Sequence, residues 1–231
     1  KALGLEHPDT SISLNNLANL YADQGLYKKA EPLYQRALAI AEKALGPEHP
    51  STATSLNNLA LLYINQGLYE KAEPLYRRSL AINEKALGLE HPSIATSLNN
   101  LANLYLEQRS YQQAEPLYQR SLAIYEKALG SEHPDTAMSL NNLAEVYRAQ
   151  GLYEKAEPLH QRSLAIREKA LGTEHPDTSQ SLNNLASLYH DQGLYKKAET
   201  LHVRSLAIRE KASGLEHPDT SISLNNLANL Y

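Results

Sequence analysis

A pair of adjacent asparagines recurs along this chain every 42 residues, and this repeat constrains the fold more than any other feature. The pairs begin at Asn15, Asn57, Asn99, Asn141, Asn183 and Asn225. A His-Pro dipeptide recurs in the same register, from His7 to His217. Fixed periods of about 20–50 residues are typical of repeat architectures, in which each period forms one supersecondary unit. The 231 residues contain five periods and half of a sixth.

The residues of one period predict two helices, A and B, separated by a turn. Pro8 suits the first turn of helix A, because its missing N–H would be unpaired there. An apolar stripe follows at helical spacing, formed by Leu14, Leu17, Ala18 and Tyr21. Gly25 indicates the end of helix A, as a left-handed residue after the last turn. Helix B is expected from about Lys28 to Gly46, with a slight bend at Pro32. Its apolar side is formed by Ala30, Leu33, Tyr34, Ala37, Leu38 and Ile40.

The whole chain is predicted to be one array of such helices. Five A/B pairs are followed by a lone final helix A at approximately 219–231. One pair cannot bury its own apolar stripe, so neighbouring pairs must stack. The sequence therefore predicts an all-α fold, a single solenoid of antiparallel helix pairs over residues 1–231. Since the chain does not begin with Met, we expect it to be a piece of a longer protein.

Each period resembles the tetratricopeptide repeat consensus, in which small residues stand where the helices cross closely. The stretches LNNLANLY, QGLYKKAEPLYQRALAI and EKALGPEHP are similar to the kinesin light chain subtype, whose repeat is also 42 residues long. This resemblance implies a right-handed superhelix with helices A on the concave face and helices B on the convex face. It also implies a scaffold for protein interaction, since kinesin light chain repeats bind extended cargo peptides in the concave groove.

The first asparagine of each pair is a candidate groove residue. Asn is a mediocre helix former, so its presence at one helical position in every period requires a reason. In the resembling family this residue faces the peptide, and an amide offers both a donor and an acceptor to a peptide backbone. We therefore expect an exposed row formed by Asn15, Asn57, Asn99, Asn141 and Asn183. The alternative is that these amides hold the stacking of adjacent repeats, which is the role expected for the second asparagine of each pair.

Variable positions farther along helix A extend the predicted peptide-binding groove. They are Asn19, Leu61, Ile64, Asn103, Leu106, Glu145 and Arg148. Leu61, Ile64 and Leu106 would form an apolar patch, and exposed apolar patches tend to mark contact sites. Alternatively, the position of Ile64 and Leu106 is partly buried between repeats. The charges nearby are mildly acidic, so a neutral or basic peptide with an apolar anchor fits better than the acidic peptides that kinesin light chain grooves favour.

Signals that could indicate chemistry have structural explanations. The histidines of the His-Pro dipeptides lie one per repeat, whereas zinc requires three or four converging ligands. His160 and His202 replace a helix-B tyrosine and are expected to be partly buried. Helix B also carries a column of arginines. It could bind anions on the convex face, but we expect it to form repeated ion pairs or to pack its side-chain stems between repeats. It comprises Arg36, Arg78, Arg120, Arg162 and Arg204. With no phosphate-binding loop or serine nucleophile motif, we predict no catalytic residues, no enzyme activity, no cofactor and no metal.

Composition argues against several classes of partner. The net charge is −4 with both signs interspersed, and no basic face suggests nucleic-acid binding. No apolar run approaches the roughly 18 residues that span a bilayer, so no membrane partner is expected. The chain has no Cys, which excludes a disulfide framework and fits a reducing, cytoplasmic location. The predicted partner is a protein or an extended peptide.

Head-to-tail self-assembly is the alternative function. Residues 1–21 and 211–231 differ only in that Leu3 corresponds to Ser213. A lone final helix A would expose a face that fits a helix B, so copies could stack end to end. A heterologous contact of this kind, if it does not close, produces open filaments.

One weak point is predicted at the A/B turn of the third period. Arg109 and Ser110 stand there where the first period has Gly25 and Leu26. A left-handed conformation at Arg109 would cost roughly 1 kcal/mol.

Overall fold

The computed structural model describes residues 6–214 and 217–230, where every regular element is an α-helix. The helices are α1 Pro8–Asp23, α2 Tyr27–Leu45, α3 Pro50–Asn65, α4 Tyr69–Leu87, α5 Pro92–Glu107, α6 Tyr111–Leu129, α7 Pro134–Ala149, α8 Tyr153–Leu171, α9 Pro176–Asp191, α10 Tyr195–Ser213 and α11 Pro218–Ala228. Odd numbers are helices A and even numbers are helices B. The predicted final helix A is observed as α11, and Tyr231 lies outside the described residues. None of the helices in the described ranges combines the length and apolar character needed to cross a membrane.

The chain divides into two compact units, Lys1–Leu117 and Tyr118–Tyr231. Unit 1 contains α1 to α5, unit 2 contains α7 to α11, and the boundary falls inside α6. In both units helix B packs against the helix A that precedes it and the helix A that follows it. Consecutive helices A also touch, as α1 touches α3 and α7 touches α9. This packing confirms the predicted all-α solenoid of helix pairs, while the extent of 1–231 as one domain stays a prediction.

The histidine of the His-Pro dipeptide caps helix A in the first five repeats. The imidazole Nδ1 of His49 accepts a hydrogen bond from the backbone N–H of Ser51 at 3.1 Å. The same bond is made by His7, His91, His133 and His175. The first N–H groups of a helix have no partner within it, so the cap satisfies one of them. A capping role accounts for the recurrence of histidine without a metal.

The A/B turn keeps its geometry even where glycine is absent. In the first repeat Gly25 has φ 72°, and the N–H of Leu26 donates to the carbonyl oxygen of Tyr21 at 2.8 Å. In the third repeat Arg109 has φ 56°, and the N–H of Ser110 donates to the Tyr105 carbonyl oxygen at 2.7 Å. Arg109 is the only residue other than glycine with positive φ in the described ranges. The predicted left-handed conformation is therefore confirmed.

Helix B starts slightly earlier than predicted. In α2 the first residue is Tyr27 rather than Lys28, and Pro32 lies inside the helix. A proline at this depth removes one hydrogen-bond donor just after the first turn. The end of the helix at Leu45, followed by Gly46 with φ 101°, agrees with the sequence analysis.

The core is a series of small clusters between consecutive helices. In α3 the predicted apolar stripe is at most 7% exposed and comprises Leu56, Leu59, Ala60 and Tyr63. Leu56 packs with Ala53 and with Ile82 of α4, and Leu38 of α2 covers the same cluster. The equivalent cluster of unit 2 is formed by Ala137, Leu140 and Ile166, with Leu122 against it. Each cluster thus joins one helix pair to the helix B that precedes it.

The arginine column forms ion pairs between consecutive helices B. Arg78 pairs with Glu42 at 2.7 Å, and Arg162 pairs with Glu126 at the same distance. The side chains of these two arginines are 41–42% exposed, so each pair contributes only about 0–1 kcal/mol. The expected ion pairs are confirmed for these arginines.

We predict that Arg109→Gly stabilises the protein by up to about 1 kcal/mol, because the strain of a left-handed side-chain residue disappears. The exposed Arg109 side chain contributes little packing that could be lost. The reciprocal change Gly67→Arg, at the same turn one repeat earlier, should destabilise by a similar amount. Thermal and urea unfolding of the two variants measures both effects. Midpoints that shift in the same direction, or that do not shift in either variant, would contradict this account of the turn.

Candidate functional site: the helix-A face

The candidate site is the helix-A face, defined as the accessible surface of the helices A at the predicted groove positions. Leu61 is 49% exposed. The other variable groove residues are exposed (Asn19 and Asn103) or partly buried (Ile64, Leu106, Glu145 and Arg148). All of these variable positions therefore keep accessible surface.

The first asparagine of each pair is buried in most repeats. Asn15, Asn99, Asn141 and Asn183 are 4–8% exposed, and Asn57 is partly buried. The Asn141 Nδ2 donates to Ser181 Oγ of α9 at 2.9 Å. In unit 1 the Asn15 Nδ2 donates to Ser55 Oγ of α3 at 3.0 Å. The expectation of an exposed amide row is wrong for the four buried residues, and at Asn15 and Asn141 the following helix A offers the amide a hydroxyl.

The second asparagine of one repeat can donate to the first asparagine of the repeat before it. The Asn100 Nδ2 donates to Asn57 Oδ1 at 2.8 Å. The Asn226 Nδ2 likewise donates to Asn183 Oδ1 at 3.0 Å. Buried amides require hydrogen-bond partners, and these come from the neighbouring helix A. At Asn100 and Asn226 the second asparagine thus takes part in stacking, which agrees with the structural role expected for it.

The serines that complete this contact were not singled out by the sequence pattern. Ser55 and Ser181 belong to a serine position that occurs in every period, two residues before the first asparagine. The signal that could have identified them is that this serine never varies. Two invariant polar positions on one helix suggest that the asparagine of one repeat forms a hydrogen bond with the serine of the next.

Two pockets open between consecutive helices A of unit 1. The first, of about 290 Å³, lies between α1 and α3 and is lined by residues that include Ile12, Asn15 and Thr54. The second, of about 180 Å³, lies among α3, α4 and α5 and includes Asn57 and Thr96 in its lining. The first asparagine therefore forms part of the groove wall even where its amide group bonds to the neighbouring helix.

Arg148 links two carboxylates on the helix-A face of unit 2. Its Nε donates to both carboxylate oxygens of Glu145 at 3.0 Å, and its Nη1 donates to Asp191 of α9. The hydrogen bonds to Glu145 and Asp191 raise the pKa of the guanidinium above its usual range. The three side chains are 26–31% exposed, and one cation between two anions leaves a net charge of −1. This predicted groove position therefore holds a fixed ion network rather than a free cation.

His160 and His202 replace a tyrosine ring, as expected, but they are almost completely rather than partly buried. They are 0% and 2% exposed and occupy the position of Tyr34 in α2. The His160 Nδ1 lies 2.8 Å from Asn141 Oδ1, so Nδ1 carries the proton because an amide oxygen only accepts. Burial lowers the pKa of the His160 imidazole to about 4, and the ring is neutral at pH 7. No three His, Cys, Asp or Glu side chains of the described residues converge to hold a metal ion.

We predict that Asn141→Ala destabilises the protein by about 1–3 kcal/mol, because the His160 N–H is left buried without its acceptor. The neighbouring Asn142→Ala, at a partly buried position, is the matched control and should change stability by less than about 0.5 kcal/mol. Urea unfolding monitored by circular dichroism measures both. If the two variants lose equal stability, the first asparagine has no special role in stacking.

The comparisons with known proteins agree with this architecture. The tetratricopeptide repeat family model matches residues 9–85, 51–127, 93–169, 135–211 and 177–231. A point variant of a Podosopora anserina protein assigned as a kinesin light chain with nearly identical TPR-like repeats is 34% identical, with a TM-score of 0.76 over 91% of this chain and 98% of that chain. A second structure of that protein is 35% identical, with a TM-score of 0.74 over 90% of this chain and 98% of that chain.

A third solved structure, BtubC (BKLC) from P. vanneervenii, is 32% identical, with a TM-score of 0.74 over 89% of this chain and 81% of that chain. No curated protein matches the chain significantly. The names of the two Podosopora anserina structures include kinesin light chain, so the predicted similarity to kinesin light chain repeats is confirmed. Since overlapping matches of the family model span almost all of its helix pairs, the chain belongs to the tetratricopeptide repeat family.

Proposed function

We propose that the helix-A face binds an extended segment of a partner protein. The proposal is based on the positions at which the repeats carry different residues. The accessible position that begins with Asn19 holds Asn, Leu, Asn, Glu and Ser in successive repeats. The buried leucine two residues earlier, which is Leu59 in the second repeat, is the same in all of them. Variation of this kind on the accessible side of helix A is expected where that side recognises a ligand.

The chemistry of the face favours a neutral or basic segment with an apolar side chain. In unit 1 Leu61 is 49% exposed, and Ile64 and Leu106 keep partial exposure. In unit 2 the network of Glu145, Arg148 and Asp191 has an excess of one negative charge. Complementary charge improves specificity and the rate of association, whereas like charges reject wrong partners. Asn19 and Asn103 contribute polar groups, while the buried asparagines contribute mainly to the wall.

Tetratricopeptide repeats generally form scaffolds for protein interaction, and the family is not a catalytic one. The absence of enzyme activity, cofactor and metal in this chain stays a prediction. The same holds for the absence of nucleic-acid and membrane partners and for the cytoplasmic location.

We predict that Leu61→Asn weakens binding of a library-selected peptide about fivefold. The ligand no longer covers the apolar surface of the leucine, and the lost binding free energy is roughly 1 kcal/mol. Asn occupies this position in the first and third repeats, so stability should be unchanged. Leu89→Asn is the control, since Leu89 is 60% exposed but lies between α4 and α5. Isothermal titration calorimetry measures both variants. Equal affinity of the two variants for the peptide would contradict a site on the helix-A face.

Self-assembly is a second candidate, favoured by exposed apolar residues on the terminal helices. In α1 Leu17 and Leu20 are 41% and 53% exposed, whereas the equivalent Leu59 and Leu62 of α3 are 4% and 1% exposed. Leu224 of α11 is 44% exposed, although its counterparts in the internal helices A are buried. Within the described residues no helix B precedes α1 or follows α11. A second copy could cover either face and bury these leucines.

If the terminal faces drive assembly, sedimentation velocity should show species that grow with protein concentration. Leu20→Lys should then reduce the growth, because a charge would have to be buried in the contact. Leu89→Lys, at an exposed leucine away from the terminal helices, should not change it. A constant sedimentation coefficient across concentrations would exclude self-assembly and leave the peptide-binding proposal alone.

A further inference from the structure

A pocket of about 180 Å³ opens on the helix-A face of unit 2, with Arg148, Ser187, His190, Asp191, His202 and Asn226 in its lining. Two shortened side chains explain why it is there. In the first repeat the Tyr34 hydroxyl donates to Asn19 Oδ1. In the fifth repeat His202 replaces that tyrosine and Ser187 replaces that asparagine. The Ser187 hydroxyl turns back and donates to the Asn183 carbonyl oxygen at 3.0 Å, so the space is left open.

The fourth repeat shows that a histidine alone does not create this pocket. His160 stands at the same helix-B position, but Glu145 takes the place of Ser187, and Arg148 lies against Glu145. The His160 ring is also held by Asn141 Oδ1. In the fifth repeat the equivalent acceptor, Asn183 Oδ1, is occupied by the Asn226 amide.

His202 is therefore a buried polar ring without a hydrogen-bond partner at its Nδ1. It is 2% exposed and forms part of the pocket lining. Burial, with a smaller effect of His190, lowers the pKa of the imidazole, which keeps the ring neutral at pH 7. A neutral imidazole has one nitrogen with a free lone pair, so His202 can accept a hydrogen bond from a ligand.

The charges around the pocket favour a cation. Asp191 lines it, and its Oδ1 lies 3.5 Å from the His190 ring while its other oxygen accepts from Arg148. Glu145 is bonded to the same guanidinium, so the Arg148 cation is outnumbered by two carboxylates. A ligand carboxylate would meet Asp191 without a free cationic partner, since the Arg148 guanidinium is already bonded to both carboxylates.

We propose that this pocket receives the side chain of a lysine or arginine from the partner segment. The proposal rests on the proposed function of the helix-A face and adds a specific subsite to it. The ammonium or guanidinium group donates to the Asp191 carboxylate and to the neutral His202 ring. Asn226 offers an amide oxygen at the rim, since its Nδ2 is already used in the bond to Asn183.

The test uses small probes on the full chain, with nuclear magnetic resonance of the His190 ring and the Asn226 side-chain amide as the readout. N-acetyl-arginine methylamide should shift these resonances with saturation, whereas N-acetyl-glutamate methylamide should not. Asp191→Asn should lower the affinity for the arginine probe about fivefold, which is the largest effect expected from loss of a partly exposed ion pair. Asp23→Asn removes a carboxylate at the same repeat position in α1 and should have no effect.

A second variant fills the pocket without removing a charge. Ser187→Asn with His202→Tyr restores the pair found in the first repeat, so the chain should fold and the probe-induced shifts should disappear. Saturable binding of the glutamate probe instead, or no saturable shift with either probe, would overturn the subsite. Peptides that bind the wild type and this double variant equally would also overturn it while leaving the helix-A face as the binding site. Failure of the proposed function would appear differently, as a wild-type chain that binds no peptide although the small probe still binds.

Discussion

The burial of a helix A between two helices B, as observed for α3 and α9, is the interaction on which the rest of the structure depends. Leu59 in α3 is 4% exposed, whereas the equivalent Leu17, with no helix B before it in the described residues, is 41% exposed. Fully burying a leucine contributes about 1.5–3 kcal/mol, and several such residues are buried at each repeat boundary. A single helix pair cannot supply this burial, so each repeat is stabilised by its neighbours.

This packing divides helix A into sides with different freedom to change. The side against the two helices B carries mainly leucines and small residues, and its changes are modest, such as Leu104 to Val146. The edge toward the next helix A carries the invariant asparagine and serine, which bond as Asn141 does with Ser181. The remaining side is free of these contacts, and there the repeats hold residues as different as Leu61 and Glu145. Recognition of a ligand can therefore change without loss of stacking.

The sequence was sufficient to predict the helices but not to predict the side-chain contacts at the candidate site. Spacing and turn residues predicted the helices nearly to the residue, because Pro8 and Gly25 act locally. The burial of Asn15 depends on how closely the next helix A approaches, which no pattern within one period reports. The ion network of Arg148 likewise needs Asp191 from the following repeat, a residue 43 positions away. The opening beside His202 depends on two shortened side chains from different helices, so neither substitution alone predicts it.

The most direct test of the account is to locate a bound peptide. Peptides selected from a random library for binding to the chain would be isotopically labelled, and intermolecular nuclear Overhauser effects would be recorded in the complex. The account predicts contacts to accessible helix-A residues, such as Leu61 and Asn103 in unit 1 or Glu145 in unit 2. Contacts confined to the helix-B face, for example to the half-exposed Val203, would contradict it. A chain that selects no peptide at all would contradict it as well.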